Sequence, residues 1–224
     1  MKKTFYTEIA YVLGILLLAI GNAFMERASF GISMVIAPAY ILHLKISQYL
    51  SFFSFGMAGY CLQVLILLAI IIITRKFKIT YLFSFLTAVL GGFALDGAVF
   101  LLSFINVEGL AVRVLFYVIS LPISTMGISL LLRPYISPEA YDVFVKEVSA
   151  HFGISFGKFK TSYDLASLLI SLILTLLFFG ELRGIGVGTL VCAVLNGFLI
   201  SRMTKLCNKF FVFRDAFDIR KRFE

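Results

Sequence analysis

Residues 49–74 run for 26 positions without one charged side chain. As a helix rising about 1.5 Å per residue, that stretch exceeds the roughly 30 Å hydrocarbon core of a bilayer. Five further stretches are long and apolar enough to cross: about 9–28, 79–104, 111–132, 162–180 and 184–201. The chain is 61% hydrophobic and only 14% charged, with mean hydropathy +1.02. Soluble domains are roughly 45–50% apolar and about 25% charged, and one core of this size could not hide the excess. The expectation is an all-α, polytopic membrane helix bundle with six transmembrane helices. A soluble enzyme, a disordered chain and a secreted disulfide scaffold are excluded. Lys2 and Lys3 precede the first apolar run, but no small-residue cleavage site follows it, so that run reads as a true span.

Basic residues set the orientation. With the N-terminus cytoplasmic, 16 of the 20 fall on the cytoplasmic side, and only Arg27, Lys45, Arg113 and Arg183 fall outside. Both termini are then cytoplasmic. The net charge of +8 is a topology signal, and no nucleic-acid partner is implied. Residues 1–204 read as a single transmembrane domain. Residues 205–224 read as a basic amphipathic tail helix, with Leu206, Phe210, Phe213 and Phe217 on one face and Lys205, Lys209, Arg214, Arg220, Lys221 and Arg222 around the rest. Such a helix suits anionic membrane lipid at the interface, or a partner protein.

The two halves echo one another. Residues 88–93 read AVLGGF and 193–198 read AVLNGF, an offset of 105. At offset 106, Gly21 meets Gly127 and Arg27 meets Arg133. Each unit, about 9–104 and about 111–201, holds three spans. An odd number forces the second unit to enter the membrane from the opposite side, giving two inverted three-helix repeats. Between the first and second spans of each unit lie segments too apolar or too patterned for plain loops, 31–46 and 137–152. The first is broken by Pro38. In the second, Ser137 and Pro138 suit a helix start and Gly153 suits its end. Both are expected to form short helices, either interfacial or re-entrant.

The second half resembles the YitT/YczE family of bacterial multi-pass membrane proteins. The resemblance rests on SPEAYDVFVKEVSAHFGISFGK at 137–158, on the Asp164 of KTSYDLASLL, and on GIGVGTLVCAVLNGF at 184–198. The first half, with RASFGISMVIAPAY at 27–40, is similar only loosely. The resemblance implies a membrane fold, a bacterial inner-membrane location and no defined substrate. On it, Asp142, Asp164, Gly184, Gly186, Gly188 and Thr189 stand at recurrent positions.

Charges inside spans cost roughly 2.5–3.5 kcal/mol each and mark candidate sites. Asp96, in FALDGAVFLL, is an ion or proton ligand or else the partner of Arg113 or Arg27. Glu26 and Arg27 are adjacent on a helix, so one of them should face the bundle interior. Asp164 could pair with Arg133 or Lys160. The candidates for binding a substrate or ion are therefore Glu26, Arg27, Asp96, Arg133, Asp142 and Asp164. Asn22, Gln63 and Asn196 read as satisfying neighbouring helices. Gly184, Gly186 and Gly188 suit close helix packing, or alternatively a nest of amides for an anion.

Cys61, Cys192 and Cys207 form no CxxC, His43 and His151 are isolated, and no paired catalytic carboxylates or HExxH motif occurs. Neither an enzyme nor a cofactor or metal is expected. The leading expectation is a transporter of a small solute or ion through a cavity between the repeats. The rivals are an accessory or assembly protein acting through a partner, and a channel within one subunit or across a homo-oligomer.

Overall fold

The computed structural model describes residues 3–78, 80–134 and 139–216. The order of elements is β1 (Lys3–Tyr6), α1 (Thr7–Ala28), α2 (Ala37–Ile46), α3 (Phe55–Thr74), α4 (Thr80–Ser103), α5 (Leu110–Leu131), α6 (Ala140–His151), α7 (Phe156–Phe179), α8 (Val187–Phe210) and β2 (Phe211–Arg214). The described residues are all-α apart from that strand pair. Among the described residues six helices are long and apolar enough to cross a membrane: Thr7–Ala28, Phe55–Thr74, Phe83–Ser103, Leu110–Leu131, Lys158–Phe179 and Val187–Phe210. All six expected spans are present, the last running further than 201. The 10 residues of α2 and 12 of α6 reach only about 15 and 18 Å, too short to cross.

The spine of the bundle is the antiparallel crossing of α1 and α5. Gly21 sits on Ser124, Gly127 on Leu18, and Gly14 on Gly127 and Leu131, so rising numbers on one helix meet falling numbers on the other. Small residues allow that approach where lipid supplies no hydrophobic drive. The interior is correspondingly rich in buried hydroxyls, among them Ser120, Ser124, Thr125, Ser171 and Thr175. Several donate back to their own helix, as Thr125 to the Leu121 carbonyl (2.7 Å) and Ser171 to the Ser167 carbonyl (2.8 Å). Large apolar side chains such as Ile72, Phe93, Leu177 and Val194 point outward. That inside-out distribution suits a surface bathed in acyl chains.

The packing pattern is largely unchanged when the halves are exchanged. α1 lies on α4 and α5 on α8; α2 lies on α3 and α6 on α7; α2 also lies on α7, and α6 on α3. Both short helices are thus held between α3 and α7. Two pairs break the pattern among the described residues: α4 also lies on α6 with no matching approach of α8 to α2, and α3 lies on α4 where α7 does not lie on α8. α3 and α4 close tightly through Gly56 and Gly92, where a Cβ on Gly92 would fall 2.8 Å from Tyr60. Gly197, the counterpart of Gly92 at offset 105, faces open space, and α7 stands apart from α8.

The α6 stop follows the sequence: Gly153 adopts φ +64°, its N–H reaches the Ala150 carbonyl (3.3 Å), and the Ile154 N–H reaches the Ser149 carbonyl (2.9 Å). These two bonds make a Schellman motif. At the other terminus Glu139 is the N-cap residue; Ser137 and Pro138 lie outside the described residues.

The tail departs from expectation. Residues 205–210 extend α8, and Phe211–Arg214 form a strand rather than more helix, pairing in parallel with Lys3–Tyr6. Phe211, Val212 and Phe213 favour an extended backbone, and the chain entering α1 supplies a free edge for them. Phe213 packs on Phe5 (5.8 Å between centroids) and beneath Arg133 (4.8 Å). Phe217, Arg220, Lys221 and Arg222 lie outside the described residues. The pairing brings both ends of the described chain to one end of the bundle. Contacts at the opposite end join Arg27 to Ile105, Arg113 to Ala28, and Lys45 to Phe178.

Candidate functional site

A cavity of about 370 Å3 lies where the halves meet. It extends from Asn22 toward the end that carries β1 and β2, as far as Leu132 and Ile200. Its polar wall is Asn22, Glu139, Asp142, Lys160, Asp164 and Asn196. A smaller void of about 50 Å3 lies behind it, toward Gly56 and Gly92. Leu18, Asn22, Ile36 and Glu139 line both and form the partition. Ile36 and Glu139 are the N-cap residues of α2 and α6. Both short helices therefore begin at the partition, one from each half.

Around Lys160 the charges are organised. Its ammonium donates to the Asp164 carboxylate (2.8 Å) one turn along α7 and sits 4.9 Å from the centre of the Tyr141 ring. Asp142 accepts a hydrogen bond from Tyr141 and lies within the field of Lys160. Burial still pushes the Asp142 carboxyl up to about 6, against the pull of Lys160 and Tyr141, with Asp164 adding to the rise. The Glu139 carboxylate has neither hydrogen bond nor cation partner among the described residues, and it does not cap α6. Burial, with Asp142 adding to it, pushes its carboxyl up to about 7.

Two amides complete the wall. Asn22 is only 8% exposed and its side-chain amide makes no hydrogen bond among the described residues, although it borders both voids. The Oδ1 of Asn196 is buried without a partner. Orphaned polar atoms beside a cavity are places where a ligand or water belongs.

Of the expected site residues, the structure brings Asp142 and Asp164 together and leaves the others elsewhere. Asp96 meets no arginine. It accepts from Ser54 Oγ and from the Gly56 N–H (2.6 Å), tying α4 to the first turn of α3. Ser54 is the α3 N-cap and accepts from the Met57 N–H (3.1 Å), so a carboxylate here offsets orphaned amides and the helix dipole. Glu26 shares a hydrogen bond with Tyr40 and lines a separate recess of about 120 Å3, with Gly184. Arg27 donates to the Ile105 carbonyl and Arg133 to the Thr204 carbonyl (3.3 Å), each beside the third span of its own half. Neither lines the large cavity. Asp164 takes Lys160, not Arg133, as its partner.

The glycines at 184–188 serve packing. The Gly188 N–H donates to the Phe30 carbonyl (2.8 Å), the Ile32 N–H to the Gly184 carbonyl (3.2 Å), and the Gly186 N–H to Thr189 Oγ1 (3.3 Å). A Cβ on Gly188 would fall 2.7 Å from the Phe30 oxygen, and one on Gly184, at φ +73°, 2.6 Å from Tyr40. The Gly186 and Gly188 amides are thus taken within the protein.

Glu139 and Asn22 are the residues that sequence reasoning missed. Glu139 stands in SPEAYD, in the first turn of the expected short helix, and is not among the expected site residues. The usable signal was an acidic residue at the start of a short helix inside an apolar chain. Asn22 and Asn196 read as helix-to-helix partners, and the structure leaves them without one.

The chain belongs to a family of unknown function (DUF6198), whose model matches residues 5–205. The match spans both halves and every cavity residue named above. No curated protein and no solved structure matches the chain.

Proposed function

We propose that this protein is a multi-pass transporter of the bacterial cytoplasmic membrane. It moves a small solute or ion by alternating access through the cavity between two inverted repeats, with both termini cytoplasmic. The observation that carries this reading is the partition: the N-cap residues of two short helices, one per half, meet at a polar cavity beside the α1–α5 crossing. Broken segments at a repeat interface are where backbone and charge are tolerated at membrane depth. On this reading α2 and α6 are re-entrant, since both are enclosed between α3 and α7. The larger cavity faces the cytoplasm, and the asymmetry between the α3–α4 and α7–α8 pairs is the asymmetry of one state. In the opposite state α7 and α8 close while α3 and α4 part.

The test is two-sided accessibility. Asn196→Cys is placed in a chain whose Cys61, Cys192 and Cys207 are replaced by serine. A membrane-impermeant maleimide is then applied to right-side-out and inside-out vesicles. Labelling from both sides supports alternating access. Labelling confined to one side under all conditions contradicts it.

A further inference from the structure

We infer that the large cavity binds a small organic cation bearing N–H donors, of the guanidinium or ammonium class, in exchange for the proton of Glu139. This rests on the cavity proposed above as the transport site, and its chemistry names the substrate class.

Charge comes first. Glu139, Asp142 and Asp164 line the cavity against a single ammonium, Lys160. Lys160 is committed to Asp164 at 2.8 Å. With every carboxyl ionised the wall carries three negative charges and one positive. With Glu139 protonated the wall carries net −1, and exchanging that proton for a monovalent cation keeps it at −1. An anion has little to hold it. The Ala140 N–H at the start of α6 is taken by Gln63 Oε1 (2.9 Å), the Ala37 N–H of α2 by the Ser33 carbonyl (3.0 Å), and Pro38 has none.

Hydrogen bonding narrows the class. Asn22, nine-tenths buried, is unpartnered where the two voids meet, and Asn196 Oδ1 is a buried acceptor without a donor. Carboxylates and an amide oxygen are acceptors, so the guest should bring N–H groups. An inorganic divalent ion fits poorly. Among the described residues no three His, Cys, Asp or Glu side chains gather closely enough to hold a metal. A volume of about 370 Å3 instead suits a small molecule.

Glu139 is the exchanging group because it alone among the three carboxylates lines both voids and lacks a partner. The groups around it are Tyr11 from α1, Tyr60 from α3, Tyr141 and Asp142 from α6, Lys160, Tyr163 and Asp164 from α7, and Cys192 from α8. From α4 the backbone at Gly91 approaches it. In the exchange the O–H bond of Glu139 breaks and its proton passes to water. The cation is held by hydrogen bonds and charge, with no covalent bond formed. Charge in the cavity is unchanged. Burial sets the carboxyl near neutrality, where such competition works at ordinary pH.

The experiment measures proton release by the purified full chain in detergent, in weakly buffered solution at pH 6.5. Guanidinium chloride is the probe at millimolar concentration, far below denaturing levels; sodium chloride and tetramethylammonium chloride are the controls. The expected result is saturable release with guanidinium and little with either control. Apparent affinity should fall about tenfold for each pH unit below the Glu139 titration. Glu139→Gln should abolish the release while circular dichroism stays native. Should that variant fail to fold, Asn22→Ala should weaken guanidinium binding several-fold and keep the released proton. No saturable release from the native chain, equal release with sodium, equal affinity for tetramethylammonium, or full release from a folded Glu139→Gln would each overturn the inference. Release in detergent together with one-sided labelling of Asn196→Cys would sink the transport reading and leave this one standing.

Discussion

Gly21 and Gly127 make matching close approaches across the α1–α5 crossing. A Cβ on Gly21 would fall 2.7 Å from the Ser124 nitrogen, and one on Gly127 would fall 2.6 Å from the Leu18 nitrogen. Offset 106 carries Gly21 to Gly127 and Leu18 to Ser124, so each contact is the image of the other. Substituting alanine at either glycine should push the helices apart at a backbone that has no flexible side chain to yield. We expect Gly21→Ala and Gly127→Ala to cost similar amounts, about 1–3 kcal/mol each. Gly97→Ala, which meets nothing within 4 Å, should be neutral or slightly stabilising. The chain has no tryptophan, so thermal unfolding in detergent followed by circular dichroism is the readout. Costs that differ widely between Gly21 and Gly127 would count against the inverted-repeat reading.

Asp96 anchors α3, and its removal should be felt as stability. Asp96→Ala leaves the Gly56 N–H and the Ser54 hydroxyl without their acceptor. A loss of about 1–3 kcal/mol follows, while the proton release evoked by guanidinium per folded molecule stays unchanged. Lost proton release with unchanged unfolding temperature would return Asp96 to the site.

The helices were legible because apolar length and charge-free runs dictate spans, and Gly153 dictates a stop. Arg27 and Arg133 were legible as counterparts: each donates to a carbonyl beside the third span of its own half, and each leaves its Nε buried without a partner. The site was harder to read. Asp96 looks in sequence like a buried ion ligand, because nothing in FALDGAVFLL reveals that the start of another helix will meet it. Glu139 looks like an ordinary first-turn residue of a short helix, because the enclosure of α6 between α3 and α7 is a tertiary fact. The tail misled for a related reason. Alternating Phe and Val in FFVF also fits a helical face, and only the Lys3–Tyr6 edge decides for a strand.

Stability should vary with pH through Glu139 and Asp142. Their folded values, about 7 and about 6, lie above the ordinary 4.5 and 3.8. An acid whose folded pKa is raised favours unfolding once the unfolded chain can ionise and the folded one cannot. Below about pH 4 these groups have no such effect. Stability is lost as pH rises from about 4 to about 7, then levels off. The contribution of Glu139 should vanish in Glu139→Gln, whose unfolding temperature should exceed the native one at pH 8 and approach it at pH 4. Circular dichroism melts across that range check the sign. A Glu139→Gln variant less stable than native at pH 8 would mean that the ionised carboxylate holds a partner.

Guanidinium flux tests exchange through Glu139 most directly. Proteoliposomes containing the purified chain are loaded at pH 6 and diluted into pH 8 medium with radiolabelled guanidinium, which stays charged at both values. Protons leaving through Glu139 should draw guanidinium inward, so the native chain should accumulate label well above empty liposomes. Glu139→Gln should remain at the empty-liposome level, and a protonophore should collapse the native signal. Accumulation equal in native and Glu139→Gln liposomes, or none above empty liposomes from a chain that binds guanidinium in detergent, would contradict it.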